Sequence, residues 1–189
     1  MTIEKLKTTD QFCSGLVANT QSGEEAKATG FYEIECRDAD GNLKWSESTK
    51  NLVVNVGLQY MAGTALTSTT QITTWYIGLY GAGASNTPAA TDTLASHAGW
   101  TEITPYSGNR PAATFASATN ANPSVVTNTA SKAQFTINAT ATVGGAFLCS
   151  AASGTTGTLF SAADFSSPGD RSVVSGDVLS VTYTFSLSA

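Results

Sequence analysis

The sequence predicts an all-β protein: an antiparallel β-sandwich, jelly-roll-like, with at most one or two short helices. Several segments alternate apolar and polar residues, and they are rich in β-branched and aromatic side chains. The connections between them are short and contain Gly, Pro, Asn, Asp and Ser, which favour turns. Strands at this spacing, with almost no helix pattern, are typical of a sandwich or a barrel.

The chain is expected to begin with an N-terminal arm, residues 1–29, which has little strand pattern. The sandwich domain would then span residues 30–189, and it would open with a hairpin over residues 30–49, GFYEIECRDADGNLKWSEST. Asp40-Gly41 supplies the positive φ that a tight hairpin turn requires.

The DADGN turn also resembles the start of a calcium-binding loop. Such a loop beginning at Asp38 would need Glu at its twelfth position, where this chain has Thr49. We therefore expect a turn without a metal ion.

The remaining predicted elements are five strands and one helix. The segment NLVVNVGLQYMAGTAL predicts a strand that continues into a short helix over residues 56–65, with Leu58, Met61 and Leu66 facing inward. The predicted strands lie in residues 73–81 (TTWYIGLYG), 132–143 (KAQFTINATATV), 144–151 (GGAFLCSA) and 177–188 (DVLSVTYTFSLS).

Charged residues are distributed unevenly along the 189-residue chain. Residues 1–60 contain nine acidic and six basic side chains, whereas residues 61–189 contain five acidic and three basic ones. This composition suits surfaces that pack against copies of the same protein, or a protein that persists outside a cell. The net charge of −5 gives no electrostatic basis for direct nucleic-acid binding.

Neither export nor membrane insertion is expected. No apolar run approaches the ~20 residues of a membrane span, and the opening MTIEKLKTTDQ lacks the layout of a signal peptide. Cys13, Cys36 and Cys149 fit neither a disulfide framework nor a zinc site, and Cys149 is expected to fill space in a buried strand. We expect folding in a cytoplasm, without cofactor or metal.

Residues 91–111, TDTLASHAGWTEITPYSGNRP, contain the single histidine of the chain. Asp92, Ser96 and His97 suggest a hydrolase, but neighbours such as Ser96 and His97 point in different directions, and the sequence has no Gly-x-Ser-x-Gly elbow. We interpret the segment as a structural corner in which Asp92 caps a single turn. Its other predicted members are His97, Trp100, Glu102 and Arg110, the last two forming an exposed ion pair.

Other enzyme signals are weak. Glycines in GLYGAGAS follow a predicted strand, but no helix pattern follows to bind a phosphate. A carboxylate pair for glycoside hydrolysis would have to come from Asp92, Glu102, Asp164, Asp170 and Asp177. We therefore predict that the protein is not an enzyme and has no catalytic residues.

Four segments together resemble structural proteins of tailed bacteriophages. They are NLVVNVGLQYMAG, WYIGLYG, DTLASHAGWTEITPYSGNRP and GTTGTLFSAADFSSPGDRSVVSGDVLSVTYTFSL, which fall within roughly residues 50–188. The resemblance is to capsid decoration (cement) proteins with a jelly-roll-like sandwich. It implies a virion location, with the major capsid protein as partner and synthesis in the host cytoplasm.

The alternative is a tail or fibre module that binds a host glycan or receptor. Such a module would need an exposed aromatic platform, for which the candidates are Trp75, Tyr76, Tyr80, Trp100 and Tyr106.

For a decoration protein, the arm is the expected contact with the shell, because it combines charged and apolar side chains. The contact residues would be Lys5, Lys7, Phe12, Leu16 and Val17. Alternatively, the arm folds onto its own domain. The charge-poor second region also predicts self-association into a homodimer or homotrimer.

Overall fold

The computed structural model describes residues 26–81, 87–165 and 169–189. Two antiparallel sheets, one α-helix and one short 3-10 turn form the described chain, which confirms the predicted all-β sandwich-like fold. The helix is α1 (Asn55–Leu66), and the 3-10 turn spans Thr129–Ser131. The strands are β1 (Lys27–Arg37), β2 (Leu43–Lys50), β3 (Leu52–Val53), β4 (Trp75–Gly81), β5 (Glu102–Ile103), β6 (Ala112–Ala113), β7 (Ser124–Thr127), β8 (Ala133–Thr136), β9 (Ala141–Cys149), β10 (Leu159–Asp164), β11 (Arg171–Val173) and β12 (Val178–Ser188).

The first sheet has the spatial order β2–β1–β12–β7, and β8 pairs with the other half of β12. The second sheet has the order β3–β10–β9–β4–β5, with β11 paired to β9 and β6 paired to β4. The main hydrophobic core lies between the two sheets, because alternate residues of each sheet are buried there. Tyr32, Ile34 and Val181 come from the first sheet, and Ile77 and Leu148 come from the second.

A second apolar cluster covers the outer face of the second sheet, away from the first. It contains Tyr80, Phe147 and Leu159 from the strands and Leu94 and Trp100 from the predicted corner. Strand β9 is buried from Val143 through Cys149 because both of its faces are covered. Cys149 is a free, buried thiol at the end of this strand.

The N-terminal hairpin forms as predicted. Asp38 closes its turn, since its Oδ1 accepts hydrogen bonds from the backbone N–H groups of Asp40 and Asn42 at 3.0 and 2.9 Å. Gly41 has φ of +86°, which favours glycine. The hairpin is an integral part of the first sheet, because β1 pairs along its full length with β12.

Two glycines on β4 and β9 make room for aromatic rings on the outer face. A Cβ at Gly78 would lie 2.1 Å from the ring of Phe147, its cross-strand partner. A Cβ at Gly145 would lie 2.1 Å from the ring of Tyr80, which is paired with it. Because the glycines lack side chains, the rings lie across the neighbouring strand.

The prediction of one strand over residues 132–143 was wrong. Strand β8 belongs to the first sheet and β9 to the second, and the chain crosses between them. The backbone N–H of Ile137 donates to the carbonyl of Asp177, and that of Asn138 donates to the carbonyl of Pro105. The first of these contacts continues the pairing of β8 with the chain before β12 by one residue, and the second takes the chain off the first sheet at Asn138, although the apolar alternation runs through the break.

Helix α1 begins and ends within one residue of the predicted bounds, but two of its three predicted core residues face solvent. Leu58 is 43% exposed and Leu66 is 86% exposed, whereas Met61 packs against the core. The helix approaches β10 through Gly57, where a Cβ would lie 2.3 Å from the carbonyl oxygen of Phe160. This close approach sets the buried side of the helix.

The arm was predicted to end at residue 29, but strand β1 already begins at Lys27. The predicted contact residues Lys5, Lys7, Phe12, Leu16 and Val17 lie outside the described residues.

Candidate functional site

The structural corner, residues 91–111, packs onto the outer face of the second sheet. The ring of Trp100 lies 5.1 Å from that of Tyr80 and 5.0 Å from that of Phe147. His97 stacks on Trp100, with ring centroids 3.7 Å apart and planes inclined by 12°. The corner thereby shields the aromatic cluster of the sheet from water.

Asp92 is buried, but it does not cap the turn that follows it, so this detail of the prediction was wrong. Its Oδ2 accepts hydrogen bonds from the indole N–H of Trp100 and from the backbone N–H of Ala89, both at 2.9 Å. The turn is closed instead by Thr93, whose Oγ1 accepts from the backbone N–H of Ser96 at 3.0 Å. Asp92 therefore holds Trp100 in the apolar cluster.

Asp92, Ser96 and His97 have separate partners. The Nδ1 of His97 is hydrogen-bonded to the carbonyl oxygen of Trp100 at 2.8 Å, and the Asp92 carboxylate is bonded to Trp100 and Ala89. Ser96 is exposed. The three residues do not form the relay of nucleophile, base and orienting acid that a serine hydrolase requires.

The ion pair between Glu102 and Arg110 was predicted to be exposed, and that prediction was wrong. The Arg110 side chain is only 2% exposed and that of Glu102 is 24% exposed. The contact is bidentate, with both nitrogen–oxygen distances at 2.6 Å. A buried bidentate pair is structurally important, because removal of one partner leaves the other charge without compensation.

Arg110 also binds the turn between β9 and β10. Its guanidinium donates to the carbonyl oxygens of Ala151 and Gly154, both at 2.8 Å, and lies 5.2 Å from the ring centroid of Phe147. Burial by itself lowers the pKa of Arg110, but the hydrogen bonds to Glu102 together with the electrostatic interactions with Cys149, Glu102 and Tyr106 outweigh this and raise it. Arg110 stays charged and connects the corner to the central strands.

The carboxylates considered for glycoside hydrolysis lie in different parts of the fold. Asp92 and Glu102 are hydrogen-bonded within the corner, and Asp177, which directly precedes β12, is bonded to Lys44. Asp164 ends β10, and burial together with the nearby charge of Asp170 raises its pKa. Within the described ranges, no three His, Cys, Asp or Glu side chains group as metal ligands.

Six exposed charged residues lie on β1, β2 and the turn between these strands, and we call the surface that they form the charged face. It consists of Lys27, Glu33, Arg37, Asp40, Lys44 and Lys50. In residues 61–189, by contrast, Asp170 is the one exposed residue among the eight charged ones, all of which the structure describes. The remaining exterior of that region presents mainly Ser, Thr, Ala, Asn and Gly.

Ion pairs link the hairpin to the other strands. Lys44 contacts the buried Asp177 at 2.6 Å, and Arg171 contacts the buried Glu47 at 2.9 Å. Burial by itself raises the pKa of Asp177, but hydrogen bonds from Lys44 and from the backbone N–H of Val174 lower it overall. The hairpin is therefore fixed to the sandwich by charge as well as by strand pairing.

A groove at the end of the sandwich near the start of β1 was not anticipated from the sequence. It has a volume of about 530 Å³ and a mostly apolar lining. Helix α1 forms one wall through Tyr60 and Met61, and Phe115 and Val126 lie on the loop and strand of the other side. The base contains Trp75, Leu148, Phe160, Tyr183 and Phe185, with Leu187 near the opening.

The five aromatic residues considered for a glycan platform do not form one surface. Tyr80, Trp100 and Tyr106 are buried, with exposed fractions of 0%, 3% and 7%. Trp75 and Tyr76 are half-buried, and Trp75 lies in the groove.

No helix in the described part of the chain is both long and apolar enough to span a membrane. No protein-family model, curated protein or solved structure matches this chain.

Proposed function

We propose that this protein is a structural component of a tailed-bacteriophage particle, a decoration (cement) protein bound to the outer surface of the assembled capsid. The observation that carries the proposal is the separation of surface chemistry between the charged face and the nearly charge-free exterior of residues 61–189. The resemblance of four sequence segments to such proteins supports it.

The charged face supplies the polar contacts with the major capsid protein, together with the arm that precedes β1. Lys5 and Lys7 of the arm, and Lys27, Arg37 and Lys50 of the charged face, offer cations for acidic groups on the shell. Exposed charge pairs are individually weak and are screened by salt. Attachment is therefore salt-sensitive and depends on several contacts at once.

The hydroxyl-rich exterior faces away from the shell and contacts neighbouring copies. A protein that binds the assembled shell but not its dissociated subunits stabilises the assembly by mass action. Contacts repeated between adjacent copies add to this through avidity. The protein is made in the host cytoplasm and is present on the released virion.

The alternative of a tail or fibre module with an aromatic glycan platform has less support, because Tyr80, Trp100 and Tyr106 are buried. The decoration role requires no such platform.

The test is reconstitution on capsids that lack the protein. Lys27→Gln/Arg37→Gln/Lys50→Gln is expected to lower occupancy and its dependence on salt, whereas the matched control Thr140→Gln/Ser153→Gln, at exposed positions of the charge-poor region, leaves the salt dependence unchanged because it removes no charge. Deletion of residues 1–25 is expected to lower occupancy further. If the triple variant and the deletion decorate shells like the unchanged protein, then neither the charged face nor the arm is the contact with the shell. If intact protein binds isolated tails instead, the capsid assignment is wrong.

A further inference from the structure

We infer that the apolar groove is the docking site for this chain's own N-terminal segment around Phe12, Leu16 and Val17. This assignment places those three residues inside the molecule rather than on the shell. It concerns an intramolecular contact of the free protein, so it can fail independently of the proposed function.

The groove is distinguished from the other surface depressions of comparable volume by its apolar lining. Its volume of about 530 Å³ accommodates several apolar side chains. Rings line it in edge-to-face contact, with centroids of Trp75 and Phe160 5.4 Å apart and those of Phe160 and Phe185 5.3 Å apart. At its opening, Leu187 is 44% exposed. Apolar surface concentrated in a concave site is typical of a binding site.

The path of the chain points to the occupant. Strand β1 starts beside the groove, because Ala28 is paired with Leu187 and Gly30 with Phe185, two residues of the groove lining. Paired residues of adjacent strands lie on the same face of a sheet. The segment that precedes β1 is therefore attached at the opening of the groove, on its apolar side.

The spacing of residues suits a return into the groove. Nine residues, 18–26, separate Val17 from Lys27, and most of them are polar or small. A linker of nine residues can span at most about 30 Å. Phe12, Leu16 and Val17 lie beyond this linker and are the main large apolar residues of that part of the arm.

Tethering favours the chain's own segment over that of another molecule. A short linker gives an effective concentration in the millimolar range, far above the micromolar concentration of free protein in solution. Burial of two or three apolar side chains in the groove opposes the cost of ordering the segment.

The test uses Cys13, which is next to Phe12, and a second thiol placed at the groove. Ala118→Cys changes an exposed residue of the groove lining, and Ala39→Cys provides a matched control at the exposed hairpin turn, at the far end of β1. Cys36 and Cys149 are buried and are common to both variants. A short bismaleimide reagent is added at micromolar protein concentration, and the products are resolved by denaturing gel and mass spectrometry.

Intramolecular cross-linking of Cys13 to the new thiol is expected to be at least about tenfold faster in Ala118→Cys than in Ala39→Cys. Adding Phe12→Ser/Leu16→Ser/Val17→Ser to Ala118→Cys should slow this cross-link several-fold, to the rate that tethering alone gives, while Gln11→Ser/Ser14→Ala should leave it unchanged. Equal rates at the two positions, or a rate unaffected by the triple substitution, would overturn the assignment. A cross-linked dimer in place of the monomer would also overturn it and assign the groove to a segment of the neighbouring copy.

Discussion

The hairpin region, residues 26–60, and the region 61–189 use their charges in opposite ways. In the hairpin region six charged residues are exposed, and they form one face on β1, β2 and their turn. In the longer region the charged side chains are mainly bonded within the fold: Asp92 to Trp100, Arg110 to Glu102, and Asp177 to Lys44. A low charge count therefore marks a region in which the few remaining charges are structural.

Removing the charge of Arg110 is expected to have the largest effect on the free energy of unfolding. Arg110→Met leaves Glu102 without its cation and two carbonyl oxygens, those of Ala151 and Gly154, without their donor. The free energy of unfolding should fall by about 3–5 kcal/mol, measured by urea denaturation. The matched control is Arg37→Met in the hairpin region, where Arg37 is exposed and donates to the carbonyl of Gly41. It should cost less than about 1 kcal/mol, and equal losses would refute the distinction between the two regions.

Asp92 provides a second test within the charge-poor region. Asp92→Ala leaves the indole N–H of Trp100 and the backbone N–H of Ala89 without an acceptor inside the apolar cluster. We expect a loss of about 2–3 kcal/mol in the free energy of unfolding. Asp92→Asn should recover part of it, because its amide oxygen still accepts a hydrogen bond. The neighbouring Ser96→Ala should change stability by no more than about 0.5 kcal/mol; a loss as large as that of Asp92→Ala would show that the effect is not specific to the hydrogen bonds of Asp92.

The contact between the two regions is expected to be sensitive to acid. The hydrogen bonds from Lys44 and Val174 lower the pKa of Asp177 in the folded state, so the folded protein holds this proton less tightly than the unfolded chain. Its stabilisation is present above the ordinary pKa of Asp, ~3.9, and is lost as the pH falls through the lowered value.

Asp177→Asn should therefore destabilise the protein at neutral pH by about 1–2 kcal/mol and should flatten the acid limb of stability against pH. Urea denaturation between neutral and strongly acidic pH measures both effects. An acid limb identical to that of the unchanged protein would assign the acid sensitivity to other carboxylates.

Adding charge to the charge-poor exterior is expected to have the smallest effect on the free energy of unfolding. The same change tests how copies of the protein associate. Thr140→Lys/Ser153→Lys changes two exposed residues, and the free energy of unfolding should shift by no more than about 0.5 kcal/mol. Self-association, measured by sedimentation velocity, should weaken, since this surface is the proposed contact between copies. The control Lys27→Gln/Lys50→Gln on the charged face should leave self-association unchanged. The opposite result would place the contact between copies on the hairpin.

Local sequence patterns were sufficient to predict the elements whose conformation depends mainly on their own residues. The hairpin follows from Asp38 and Gly41, because an acceptor side chain and a positive φ are properties of those residues themselves. Strands β4 and β12 follow from their aromatic and β-branched residues. The separation of Ser96 and His97 was also predictable, because residues adjacent in the chain point in different directions.

Tertiary structure decided the features that depend on distant parts of the chain. The break after β8 depends on the carbonyl of Pro105, to which Asn138 donates, and the buried side of α1 depends on where Gly57 meets Phe160. Burial of Arg110 depends on the turn that carries Ala151 and Gly154. The sequence by itself determined the fold class and the charge contrast, since both arise from residue type and short-range spacing. The packing of the two sheets decided which charged and apolar side chains are buried. Burial depends on the contacts between elements and not on the residue type alone.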